Sequence, residues 1–174
     1  DALVVAGFLN SFIRHADSLK IANIAQIVNV IAPIQTRGDD MLLQSIFYPF
    51  EMIANRGAGT ALRTVVTGPS YTSKSYGEVP IIDTSAILND DALQVFLTNR
   101  SLNEASTVDI HLSDRAIRGF RSGELLTGPE PKAANSYESP DVVASEPISE
   151  VTVDGNTATV TLPPLSFAAL TLDL

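Results

Sequence analysis

The chain has no cysteine and no tryptophan. The first absence excludes disulfides and thiolate metal sites. The second, with aromatic residues at only 6%, leaves little surface for stacking on sugar rings. Basic residues are scarce: 11 Lys and Arg stand against 20 Asp and Glu, a net charge of -9. Such a chain repels a phosphate backbone, which argues against nucleic acid as a partner. No run of 18 apolar residues occurs, so no segment is expected to span a membrane. No glycine-rich phosphate loop precedes a helix, and no Gly-x-Ser-x-Gly elbow is present. The only histidines, His15 and His111, have no Asp, Glu or His at ligand spacing, so neither a metal site nor a cofactor is expected. The chain starts at Asp1 without a signal-peptide pattern. It reads as a piece of something longer, and the lack of both a signal and cysteine points to a cytoplasmic location.

What is present suits a folded protein. Apolar residues make up 45% of the 174 positions and charged residues 18%, enough to bury a core in one or two small domains. Two halves differ in character. Residues 1 to 58 read as α/β. Val5, Phe8, Leu9, Phe12, Ile13 and Ala16 fall on one face of a helix, with Asn10, Arg14 and Asp17 off it. A second helix is expected after Ser45 as N-cap, with Pro49 in its first turn and Gly57 as a left-handed C-terminal cap. Between them, Lys20 to Ala25 reads as a strand apolar on both faces, as in a helix-covered parallel sheet. That strand has no ladder partner in the chain.

Residues 59 to 174 change pattern. Leu93, Val95 and Leu97 alternate, as do Val108, Ile110 and Leu112. Val151 and Val153 lead into Asp154-Gly155, a hairpin signal. Ala158, Val160 and Leu162 follow, then Pro163-Pro164 and a last strand near Phe167 to Leu172. Short strands separated by turn residues predict an antiparallel β-sandwich. The segment from 128 to 147 contains four prolines and reads as a long loop.

The polar candidates are few. Asp39-Asp40 and Glu51 read as solvated, and Asn89 to Asp91 as a turn. Asn99-Arg100-Ser101 matches a glycosylation sequon, a frequent chance match. Gln26 ends the strand-like run. Its amide needs partners if buried, either neighbouring backbone or the hydroxyls of a sugar. The residue types alone favour the backbone. No complete catalytic set is visible.

The stretch "DALVVAGFLNSFIRHADSLKIANIAQIVNVIAPI", with "SIFYPFEMIANRGAGTAL", "LQVFLTNRS" and "TATVTLPPLSFAALTL", strongly resembles the C-terminal part of α-L-arabinofuranosidases of glycoside hydrolase family 51. The resemblance covers nearly the whole chain. It implies a mixed fold, α/β plus all-β. Residues 1–58 correspond to the last part of a (β/α)8 TIM barrel, and 59–174 to an antiparallel, jelly-roll-like β-sandwich. It implies retaining hydrolysis of arabinofuranosides by two carboxyl groups about 5 Å apart. In the family both glutamates lie on earlier barrel strands, so no residue here receives a catalytic role and the chain alone is expected to be inactive. By similarity Gln26 binds the arabinose, which turns its reading towards substrate. Asn23 and Asn29 are expected to tie the strand end to the next loop. The implied partners are an arabinofuranoside-containing oligosaccharide, the N-terminal barrel portion, and further copies in a homo-oligomer. The alternative function is a non-catalytic carbohydrate-binding or assembly module, with Tyr71 and Tyr76 as its only exposed-looking aromatic pair.

Overall fold

The computed structural model describes residues 1–174. Thirteen strands and two helices follow in the order α1 (Ala2–Arg14), β1 (Ile34–Arg37), β2 (Asp40–Leu43), α2 (Phe47–Ala54), β3 (Thr60–Leu62), β4 (Ser70–Ser73), β5 (Gly77–Pro80), β6 (Ile82–Leu88), β7 (Ala92–Asn99), β8 (Ser106–His111), β9 (Gly119–Leu126), β10 (Ser145–Pro147), β11 (Val151–Asp154), β12 (Thr157–Leu162) and β13 (Ser166–Asp173). Six strands form the large sheet, in the order β10-β9-β13-β7-β6-β3, and three form the small one, β11-β12-β8. All their pairings are antiparallel.

The large sheet is the middle of three layers. Leu93, Val95 and Leu97 of β7, with Ala168, Leu170 and Leu172 of β13, meet Ala158, Val160 and Leu162 of β12 in one core. Side chains alternate along a strand, so the intervening residues of the same strands face the other way. There Phe96, Phe167 and Ala169 pack on Ala2 and Ala6 of α1 and on Tyr48, Met52 and Ile53 of α2. Every residue of β7 is buried for this reason. The alternation expected at Leu93, Val95 and Leu97 is therefore present, but the opposite face is covered too.

The hairpin between β11 and β12 forms one residue later than expected. Asp154 pairs with Thr157, leaving Gly155 and Asn156 as the loop, with Gly155 at φ 58. Glycine at positive φ in the first central position suits a type II′ turn. The same device closes β1 on β2. Gly38, at φ 61, and Asp39 link the paired Arg37 and Asp40.

Three expectations for residues 1–58 need correction. No strand forms over Lys20–Ala25, and no parallel sheet or barrel is present in the structure. A strand needs neighbours to satisfy its backbone groups, and none of the chain's other strands lies alongside. The second correction concerns α1. Its buried positions are Ala2, Ala6 and Asn10; Leu9 and Ile13 of the expected face pack partly on the same core, but Phe8 is 61% exposed. Small side chains let the helix approach the sheet closely, whereas Phe8 and Phe12 lie beside one another, with ring centroids 6.4 Å apart and planes tilted by 41°, on the outer side. Third, α2 is flanked by Ile46 and Asn55, both right-handed, and Gly57 is not among the positive-φ residues. Arg56 serves its C-terminal end instead, donating from Nη1 to the Met52 carbonyl at 3.0 Å.

The segment 128–147 is largely loop, as expected, but its end forms β10 on the edge of the large sheet. Its anchor is Asn135. The buried amide donates to the Leu43 carbonyl at 2.9 Å and the Val143 carbonyl at 2.8 Å, and accepts from the Val143 N–H at 2.8 Å.

Tyr48 lies beneath this loop region. Burial pushes its phenol above the ordinary 10.0, and the carboxylates of Asp141 and Glu51 push it in the same direction. A raised folded-state value means that the contribution is fully present below pH 10 and lost as pH climbs through the folded value. Tyr48→Phe is expected to remove that alkaline loss and to leave stability at pH 7 within about 0.5 kcal/mol of the parent. Urea unfolding of both proteins at pH 7 and above pH 10 checks this.

Candidate functional site

Gln26 stands on an exposed, strandless segment between α1 and β1. It adopts φ 55, an uncommon value for a residue with a side chain. Around it the apolar residues expected in a core face outward: Ile21 is 73% exposed, Val30 79% and Ile31 75%. An open apolar groove of about 330 Å³ adjoins the start of this segment, lined in part by Phe12, Leu19, Ile21, Phe50 and Ile53.

The two other amides of the segment differ from each other. Asn23 makes no side-chain hydrogen bond. Asn29 makes several, all to one residue. Its Oδ1 accepts from the Thr36 N–H at 2.7 Å, and its Nδ2 lies 2.9 Å from Thr36 Oγ1. Its own N–H donates to the Ile34 carbonyl at 2.8 Å, and its carbonyl accepts from the Ala32 N–H at 3.0 Å. Asn29 and Val30 sit at φ 63 and 61. Asparagine tolerates that region, and β-branched valine does so only under constraint.

The remaining candidates have ordinary surroundings. His15 sits at the exposed end of α1, its Nδ1 2.7 Å from the Ser11 carbonyl. His111 lies on the open face of the small sheet beside Thr157 and Asn156. Asp39 and Asp40 occupy the exposed β1–β2 turn, where Asp40 pairs with Arg37 at 3.7 Å. Glu51 accepts a long 3.4 Å bond from Asn55 on the surface of α2. Asn89 accepts from the Ala92 N–H at 2.8 Å in a tight turn. Asp91 joins Asp173 in clamping Arg121, at 2.9 and 2.6 Å, on open surface. This raises the Arg121 guanidinium above its ordinary value, chiefly through its bond to Asp91. Tyr71 and Tyr76 are exposed, on or beside the projecting β4–β5 ribbon. Asn99 is fully buried. Its amide donates to the carbonyls of Glu104, Leu162 and Pro163 at 3.0, 3.2 and 2.9 Å, so no glycan fits there in the folded state.

The best-connected polar cluster was not visible in the sequence. Asp83 of β6 accepts from Asn10 Nδ2 at 3.1 Å and from Arg14 Nη1 at 3.0 Å, and pairs with Arg100 at 3.4 Å. Ser85 Oγ donates to Asn10 Oδ1 at 2.8 Å, and Arg14 also reaches the Thr84 carbonyl at 2.6 Å. Both polar atoms of the Asn10 amide are thereby engaged within the core. The cluster fastens α1 to the large sheet. A second tie runs from α2: Arg56 Nη2 meets Glu124 of β9 at 3.1 Å. These contacts position the helices on the sheet, and the groups at their centre, Asn10 and the Asp83 carboxylate, are buried.

A three-layer module, with two helices on one side of a two-sheet sandwich and an exposed amide-bearing segment between them, defines the class. The chain belongs to the α-L-arabinofuranosidase C-terminal domain family, whose model matches residues 1–166. The family resemblance read from the sequence is borne out. Among its relatives, the exo-α-(1→6)-L-arabinofuranosidase of Bifidobacterium longum is 34% identical, over 98% of this chain and 34% of its own length. The intracellular exo-α-(1→5)-L-arabinofuranosidase 1 of Bacillus subtilis is 33% identical, over 99% of this chain and 35% of its own. The crystal structure of the GH51 arabinofuranosidase from Xanthomonas axonopodis pv. citri superposes with a TM-score of 0.89 at 32% identity. That match covers 99% of this chain and 35% of the other. The chain thus spans about a third of the length of the relatives it matches.

Proposed function

We propose that this chain is the C-terminal portion of a retaining exo-acting α-L-arabinofuranosidase. The enzyme removes terminal arabinofuranosyl residues from arabinose-containing oligosaccharides and polysaccharides. Residues 1–58 complete the catalytic (β/α)8 barrel, and 59–174 form the sandwich that braces it. Gln26 hydrogen-bonds the arabinose. The acid and the nucleophile are glutamates of the N-terminal portion. The whole enzyme is cytoplasmic and assembles from several copies.

One observation carries this reading: most of the apolar stretch 21–31 lies exposed, with a single isolated bridge from Val28 to Ile34, in a chain that matches about a third of the length of its relatives. Exposed apolar residues in such number call for a cover. A barrel strand with its two ladder neighbours supplied by preceding strands meets that need and places Gln26 at the strand's carboxyl end, where barrel sites lie. The names of the relatives support the substrate class and the cytoplasmic location.

The isolated chain is expected to release no nitrophenol from 4-nitrophenyl α-L-arabinofuranoside. The full-length protein is expected to turn it over. Hydrolysis by the pure chain would refute the reading, as would an inactive full-length protein.

A further inference from the structure

The β1–β2 hairpin links the segment 21–31 to α2. In the proposed barrel it is therefore the loop that follows the eighth strand, and such loops line the face where barrel sites lie. Its base is fixed to the end of that segment. Val28 bridges Ile34, and the Asn29 N–H donates to the Ile34 carbonyl at 2.8 Å. Its turn begins at Arg37, three residues further on, about 10 Å at 3.3 Å per residue. An exo-acting enzyme takes only the terminal sugar into its site, so the rest of the substrate leaves across this rim.

The sandwich reaches the same hairpin. Asn135 of the 128–147 loop holds the Leu43 carbonyl at the far end of β2, at 2.9 Å. At the turn, the Arg37 guanidinium lies over the ring of Tyr137, 4.0 Å from its centroid. The carboxylates of Asp40 and Glu138 flank it at 3.7 and 3.8 Å. Both distances are too long for hydrogen bonds, and the Arg37 side chain is 59% exposed. The group is thus oriented by one ring and two carboxylates, with its N–H donors unspent. Its planar fork of five donors suits neighbouring hydroxyls of a sugar. Every contact named here joins residues of this chain, and none needs a strand of the N-terminal portion.

We infer that Arg37 binds hydroxyls of the leaving-group sugars of an arabino-oligosaccharide at the barrel rim. Tyr137, supplied by the sandwich, is the positioning residue that holds the guanidinium flat. The inference rests on reading 1–58 as the closing part of the barrel. It makes the sandwich a contributor to substrate preference as well as a brace.

The test uses the full-length protein and the variants Arg37→Ala, Tyr137→Ala and Arg37→Ala/Tyr137→Ala. The readouts are kcat/KM on arabinotriose and on 4-nitrophenyl α-L-arabinofuranoside, which has no sugar on its leaving side. The ratio of the two values is expected to fall about tenfold in Arg37→Ala, the value of one hydrogen bond to a charged group in contact with solvent. In Tyr137→Ala it is expected to fall about threefold. The double variant is expected to match Arg37→Ala, because the group that Tyr137 positions is gone. A merely structural role would lower both substrates equally and leave the ratio where it was. That outcome overturns the inference and leaves the enzyme reading standing, as do two variants with full activity on both substrates. Losses in the ratio that multiply in the double variant overturn the positioning role of Tyr137. A parent protein that hydrolyses neither substrate takes down the enzyme reading and the inference together.

Discussion

Asp83→Ala is expected to destabilise the chain by about 3–5 kcal/mol, the cost of breaking a buried charge network by deleting one partner. The Asp83 carboxylate is 11% exposed and receives Asn10, Arg14 and Arg100. Its removal strands the Asn10 Nδ2 group inside the helix–sheet interface and leaves two guanidinium groups without their anion. At about 2–4 °C per kcal/mol for a chain of this size, the melting temperature should fall by about 10 °C. Urea unfolding followed by circular dichroism measures the change. The double variant Asn10→Ala/Asp83→Ala should cost less than the sum of the two single ones, since each single change orphans the partner that the double removes. Additive losses would show that the cluster does not act as a unit.

The second large effect belongs to the other side of that interface. Phe96 is fully buried in the middle of β7 and packs towards α1 and α2 rather than towards the small sheet. Phe96→Ala is expected to cost about 3–5 kcal/mol, from lost transfer free energy and the cavity left behind. The comparison is Phe8→Ala in the same isolated chain. Phe8 lies mostly in solvent, so its loss should fall within about 0.5 kcal/mol of neutral. Two phenylalanines, each in an apolar pattern, thus separate by a factor of six or more, and equilibrium denaturation resolves them readily.

That contrast also marks how far the sequence could be read. Alternation exposed the sandwich at Leu93 to Leu97, Val108 to Leu112, Ala158 to Leu162 and Phe167 to Leu172, because one face of each strand meets a core that local pattern can signal. It could not show that Phe96 is buried as well, since its cover comes from helices some forty or more positions earlier. The helix pattern pointed to Phe8 and Phe12, because hydrophobicity scales weigh large rings above the alanines that permit close packing. Asn10 looked like a solvent residue because its partners, Asp83 and Ser85, are 73 and 75 positions away. The β1–β2 hairpin has a local signal, Gly38-Asp39 ahead of the apolar Met41 to Leu43, but the acidic pair Asp39-Asp40 on its own reads only as solvated. Lys20 to Ala25 failed for a different reason. Its pattern suits a buried strand, but a strand is a property of neighbours and not of a segment alone. The proposed sugar role of Gln26 rests on the family resemblance alone, and its surroundings here are those of any exposed glutamine, apart from its positive φ.

Asn99 has a consequence for how this polypeptide is made. Its carboxamide is sealed beneath the Leu162-Pro163 carbonyls once β7 and β13 have paired, yet Asn-Arg-Ser is open to an oligosaccharyltransferase while the chain is still extended. In a eukaryotic host exporting through the endoplasmic reticulum, transfer and folding compete for the same nitrogen, and molecules modified first cannot close the sandwich. Bacterial cytosolic expression has no such race.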